Sequence, residues 1–118
     1  MRRAAVIDIG SNSVRLVVYG IEGAALISLF DEKAMCGLGR GLSETGKLHQ
    51  EGAKAAIQEL RRFARVAADE EPEALCPFAT SAVRDASDGR EFLQAAAQET
   101  GLKIEVLSGL EEARLAAE

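Results

Sequence analysis

The chain has 118 residues, of which 47% are apolar types and only 4% aromatic, enough for one small domain with a real core and nothing larger. Few aromatics and many Ala, Val, Ile and Leu suit helix-on-sheet packing better than a large cavity or a stacking surface. The net charge of −5, with Lys and Arg scattered along the chain, argues against nucleic-acid binding, which needs clustered positive charge.

A polyanionic substrate remains compatible with that charge, provided local donors draw it in. Cys36 and Cys76 form no paired motif and have no His-rich surroundings, so no zinc or thioredoxin-like site is readable and reduced thiols are expected. The opening apolar run is too short for a signal peptide or a membrane span, and the expectation is a cytoplasmic chain with no membrane partner.

Ala4 to Ile7 reads as a first strand closed by Asp8, and Val14 to Tyr19 as a second. The turn-formers Gly10, Ser11, Asn12 and Ser13 connect them as a hairpin. A turn at Glu22 and Gly23 leads to a third strand, Ala24 to Phe30, with Lys33 to Met35 as its extension. Gly37, Gly39, Gly41 and Gly46 then punctuate a loop, read as mobile or as a turn. Ala53, Ala56, Ile57, Leu60, Phe63, Ala64 and Ala67 recur at helical steps, leaving Arg61, Arg62 and Arg65 toward water, and Pro72 lies past the helix end.

Ala74 to Ala79 reads as a strand in which Pro77 calls for an edge or a bulge. Ser87 or Asp88 caps the next helix, with Glu91 completing a capping box on Asp88, while Phe92, Leu93, Ala96 and Ala97 form its buried face and Gly101 its stop. Ile104 to Leu107 is a last strand, and Ser108 with Glu111 opens a further helix by a second capping box. The order is β-β-β-α-β-α-β-α, an α/β unit. A chain that ends inside that helix reads as a piece of something longer.

Three places can carry chemistry. Asp8 stands at the carboxyl end of an apolar strand beside a turn rich in donors, which suits an anchor for hydrated Mg²⁺ next to bound phosphate oxygens. A plain polar hairpin explains the same residues. Arg84 follows Thr80 and Ser81 on a strand-to-helix turn and can clamp a phosphate, or it can simply pair with Asp85 or Asp88 at the surface. Of the two carboxylates at the last helix start, Glu111 occupies the capping-box position. Glu112 points about 100° away around the helix and is the better candidate for a base; the helix N-terminus alone also accounts for both. Gly39, Arg40 and Gly41 do not make a Walker loop, and His49, without a visible metal partner, is assigned to solvent.

Four segments together resemble the Ppx/GppA phosphatase family: VIDIGSNSVRLVVY from Val6, GLGRGLSETGKL from Gly37, ATSAVRDA from Ala79 and SGLEEARL from Ser108. They come in that family's order and cover nearly all of the chain. The resemblance implies an actin-like, ribonuclease H-like fold whose two lobes face each other across a phosphate cleft. This chain would be the N-terminal lobe, residues 1–118, ending before a second loop of the DIGGGS type.

It further implies that Asp8, Gly10, Ser11, Asn12 and Ser13 form the first phosphate loop, that Arg84 lines the cleft, and that Glu112 activates water. Relatives often carry a helix-capping Ser at the position of His49. The implied activity is Mg²⁺-assisted removal of the terminal phosphate from inorganic polyphosphate or guanosine pentaphosphate, by the full-length protein, with homodimers within reach and the fragment inactive. The rival readings are a small-molecule kinase of the same fold, against which the EEAR segment argues, and an alarmone sensor that binds without cleaving.

Overall fold

Alternation of side chains builds the centre of the molecule. In β1 (Arg2–Ile9) the residues Ala5, Ile7 and Ile9 are buried, and their cross-strand partners Val18, Leu16 and Val14 in β2 (Ser13–Glu22) are buried with them, as a period of two requires. Residues 1–111 are described by the structure, a computed structural model. β3 (Ala25–Met35) pairs antiparallel with β2, as β2 does with β1. β4 (Ala74–Ala79) and the two-residue β5 (Glu105–Val106) add parallel strands, giving the order β3-β2-β1-β4-β5. The expected mixed sheet flanked by helices is present.

The third strand runs unbroken through Asp31 and Glu32, where charge had left a gap in the sequence reading. Both carboxylates are answered. Arg15 Nε donates to Asp31 Oδ1 at 2.8 Å, and Arg62 on the covering helix pairs with Glu32. A register shift beside Val18 and Tyr19 takes up one extra residue. Pro77 is neither on an edge strand nor at a bulge: β4 lies inside the sheet, but β5 reaches only Phe78 and Ala79. Beside Pro77 there is no β5 ladder for its missing N–H to break.

The long helix α2 (Gln50–Asp69) buries Ala56, Leu60, Phe63 and Ala67 against the sheet, the stripe the spacing predicts. Two short helices escaped the reading. α1 (Leu42–Thr45) is a single turn between left-handed Gly41 and Gly46, and α3 (Ser81–Asp85) precedes α4 (Gly89–Thr100). On α4, Phe92 and Ala96 are buried but Ala97 is exposed. Gly101 ends it with a positive φ of 74° and an N–H bonded to the Ala97 carbonyl.

The first capping box is not formed. Asp88 instead accepts the Leu48 N–H at 2.9 Å, so its carboxylate ties α4 to the segment before α2. The second box is formed as expected: Glu111 N–H donates to Ser108 Oγ at 3.1 Å and Ser108 N–H to Glu111 Oε1 at 2.9 Å. Among the described residues no helix is long and apolar enough to cross a membrane.

Candidate functional site

Parallel pairing decides which loops meet. Because Ile9 stands opposite Ala79 and Ala79 opposite Val106, the carboxyl ends of β1, β4 and β5 open onto one edge of the sheet. That edge carries the turn at residues 10–13, the start of α3, and Ser108. Thr80 N–H reaches the Ile9 carbonyl at 3.2 Å and Leu107 N–H the Ala79 carbonyl at 2.9 Å, so the three strand ends are stitched together. Open α/β sheets bind ligands at such an edge.

The hairpin turn is closed by Gly10 N–H donating to the Ser13 carbonyl at 2.9 Å. Its two central carbonyls face inward. Asn12 O accepts from Cys36 N–H at 2.9 Å and Gly37 N–H at 3.0 Å, and Ser11 O accepts from Gly39 N–H at 2.8 Å. The N–H groups of Ser11 and Asn12, and the side chains of Ser11, Asn12 and Ser13, make no hydrogen bond among the described residues. The Ser11 and Asn12 carbonyls are thus taken up by the fold while the N–H groups of the same two residues are not, the polarity an anion site needs. At Gly10 an added Cβ would meet only the Ser13 carbonyl oxygen, at 3.5 Å. Packing does not require glycine there.

Of the two readings of the glycine stretch after β3, the structure shows the turn, at residues 38–41. Leu38 is buried in the core, His49 N–H bonds to its carbonyl at 2.9 Å, and a Cβ on Gly39 would lie 3.0 Å from Ser11 Cβ and 3.5 Å from Ala82 Cβ. Gly39 is therefore wedged between the first turn and α3. Nothing in the local sequence announces this contact.

Asp8 faces the side of the sheet opposite α2 and α4, half-buried, between Arg15 and Phe78 in register. Its neighbour Arg15 is held more basic than usual, chiefly by its hydrogen bond to Asp31, with a small contribution from Asp8. Among the described residues no three His, Cys, Asp or Glu groups converge to hold a metal. One carboxylate beside hydroxyl and amide oxygens fits Mg²⁺, which keeps most of its water and shares substrate phosphates.

Arg84 Nη1 donates to the Leu107 carbonyl at 3.0 Å and Nε to Asp85 Oδ1 at 3.3 Å. The pairing with Asp85 occurs and that with Asp88 does not. The Leu107 contact fixes the guanidinium at the end of β5, on the edge shared with the first turn. Glu112 lies outside the described residues; Glu111 beside it is engaged with Ser108. His49 is not left to solvent. It is half-buried and caps α2, its Nδ1 accepting the Gly52 N–H at 3.0 Å.

The strand order and the parallel strand ends are those of the actin-like, ribonuclease H-like fold. Residues 3–118 match the model of the Ppx/GppA phosphatase family, and the chain belongs to that family. It is 35% identical to exopolyphosphatase 1 of Mycobacterium tuberculosis (strain ATCC 25618 / H37Rv) over 96% of this chain and 33% of that protein.

Among solved structures, the Ppx/GppA family member of Aquifex aeolicus superposes with a TM-score of 0.92 at 34% identity, covering 98% of this chain and 38% of its own. An exopolyphosphatase from Cytophaga hutchinsonii ATCC 33406 gives 0.90 at 29% identity, covering 97% and 36%. The chain thus spans about a third of the length of the curated relatives it matches.

Proposed function

We propose that the full-length protein is a Mg²⁺-dependent hydrolase that releases the terminal phosphate of inorganic polyphosphate or, as the second substrate in range, guanosine pentaphosphate. The observation that carries this reading is the turn at residues 10–13, where the Ser11 and Asn12 carbonyls are tied down and the Ser11 and Asn12 N–H groups make no hydrogen bond among the described residues. The naming of the mycobacterial and Cytophaga relatives as exopolyphosphatases supports it.

In this reading the backbone N–H groups of Ser11 and Asn12 and the hydroxyl and amide groups of Ser11, Asn12 and Ser13 grip the oxygens of the terminal phosphate, and Gly10 leaves room for it to come close. Arg84, already seated at the end of β5, offsets negative charge as it shifts to the leaving oxygen. Glu112 accepts the proton of the attacking water, leaving Glu111 to its capping role. Asp8 holds Mg²⁺ directly or through water, and the ion, when bound, neutralises phosphate charge. Phosphoryl transfer of this kind depends on positioning and electrostatics more than on covalent help.

Residues 1–118 by themselves are expected to give negligible turnover, because the reading assigns part of the phosphate cradle to a second lobe. The test is phosphate release from polyphosphate and from guanosine pentaphosphate by the full-length protein and by residues 1–118. Glu112→Gln in the full-length protein should lower kcat by about 10²- to 10⁴-fold. Wild-type turnover in that variant removes the base assignment. Binding of guanosine pentaphosphate without any release would replace hydrolysis by sensing.

A further inference from the structure

The segment after β3 brings a cation to the first turn. Gly39, which touches Ser11, is followed directly by Arg40, and Arg40 N–H bonds back to the Gly37 carbonyl at 3.1 Å. This turn folds the Arg40 side chain over Gly37: its Nη2, Nε and Cζ lie 3.7, 3.8 and 3.9 Å from where a Gly37 Cβ would stand. Gly37 has a φ of +69° and no side chain, which leaves the room the guanidinium fills.

Most arginines of this acidic chain are neutralised. Arg2, Arg3, Arg15, Arg61, Arg62 and Arg84 each have a carboxylate within salt-bridge distance. Arg40 has no such partner among the described residues, although Glu44 is only four positions on. Its anchorage is at the backbone, three hydrogen bonds tying residues 36–39 to the carbonyls of Ser11 and Asn12. The backbone that carries this charge is therefore braced against the first turn, and the side chain, lying over Gly37, is exposed to an outside anion.

We propose that Arg40 takes a phosphate unit behind the terminal one, and so favours long linear polyphosphate over shorter or nucleotide-linked chains. The inference rests on the proposed function and adds a second point of attachment to it. One terminal phosphate fills the donors of residues 10–13. A polymer offers further charges at regular intervals, and a guanidinium one loop away reads them without touching the reacting bond. Arg40 accordingly contributes to affinity and chain-length preference, not to the chemical step.

The experiment uses the full-length protein, its Arg40→Ala and Arg40→Lys variants, and two probes, long-chain polyphosphate and tripolyphosphate. Expected in Arg40→Ala is a rise of about tenfold in KM for the long chain, the loss of one charge-assisted contact, with kcat close to wild type and a smaller change for tripolyphosphate. Arg40→Lys should recover part of the affinity. Thermal unfolding of both variants should match wild type, since the side chain is exposed.

An unchanged KM in Arg40→Ala, or a fall in kcat at constant KM, overturns the assignment and leaves the proposed activity standing. A wild-type protein that neither binds nor cleaves polyphosphate overturns the proposed function first, and Arg40 with it. Wild-type binding without cleavage overturns the proposed hydrolysis, and a long-chain dissociation constant by calorimetry that is the same in wild type and Arg40→Ala overturns the Arg40 assignment.

Discussion

At Gly10 structural demand and functional demand separate. A glycine is normally kept for a positive φ or for lack of space, and Gly10 shows neither: its φ is not positive, and only the Ser13 carbonyl oxygen lies near the absent Cβ, at 3.5 Å. Gly10→Ala should therefore leave thermal stability unchanged or raised by about 0.4–1 kcal/mol through the unfolded chain. Phosphate release by the full-length protein should nevertheless fall, because the added methyl stands where a phosphate must come close. A variant with both stability and turnover intact would remove the steric argument for this turn. Gly39 has the reverse balance, its absent Cβ 3.0 Å from Ser11 Cβ. The sequence separates neither case, since both are glycines in polar stretches.

At the scale of elements, α2 begins where the glycine segment ends, and the joint is tight. The helix is capped by an imidazole in place of a hydroxyl, with His49 Nδ1 accepting the Gly52 N–H. His49→Ala should cost about 1 kcal/mol in urea unfolding and His49→Ser much less, as for other N-caps. Gly52 itself meets the carbonyl oxygens of Gly37 and Cys36, which would lie 2.7 and 2.9 Å from an added Cβ. Gly52→Ala should cost about 1–3 kcal/mol, the usual range for overpacking, and should disturb residues 36–39 that brace the first turn. A stability equal to wild type in Gly52→Ala would show that the helix can slide away freely.

How much of this was legible follows from the range of each interaction. β1, β2 and α2 were readable because periods of two and of three to four residues are local properties, and Ala56, Leu60, Phe63 and Ala67 are buried as their spacing demands. Asp88 misled because a capping box is a local pattern, whereas its carboxylate is captured by Leu48 N–H across a separation of 40 residues. Likewise the bracing of Ser11 by Gly39 exists only in three dimensions. Asp8 and residues 10–13 were readable as a strand end followed by donors. Their alignment with Arg84 required the parallel pairing of β1 with β4.

For the whole molecule, the two faces of the sheet differ in what covers them. One face packs Ala5, Ile7, Ile9, Leu16 and Val18 beneath α2 and α4. On the other, Val6 and Phe78 are half-buried and Cys76 exposed, in a shallow recess with Leu107 of about 550 Å³. Stability should therefore reside almost wholly on the helix side. Phe63 is fully buried, and Phe63→Ala should cost about 3–5 kcal/mol, a large part of what a small domain possesses. Phe78→Ala removes the same ring from a half-buried site and should cost distinctly less in the chain of residues 1–118. The two variants compared by urea denaturation decide the point. Equal losses would mean that the Phe78 face is packed as tightly as the helical one, and that the sheet edge bearing Asp8 and the first turn is supported from both sides.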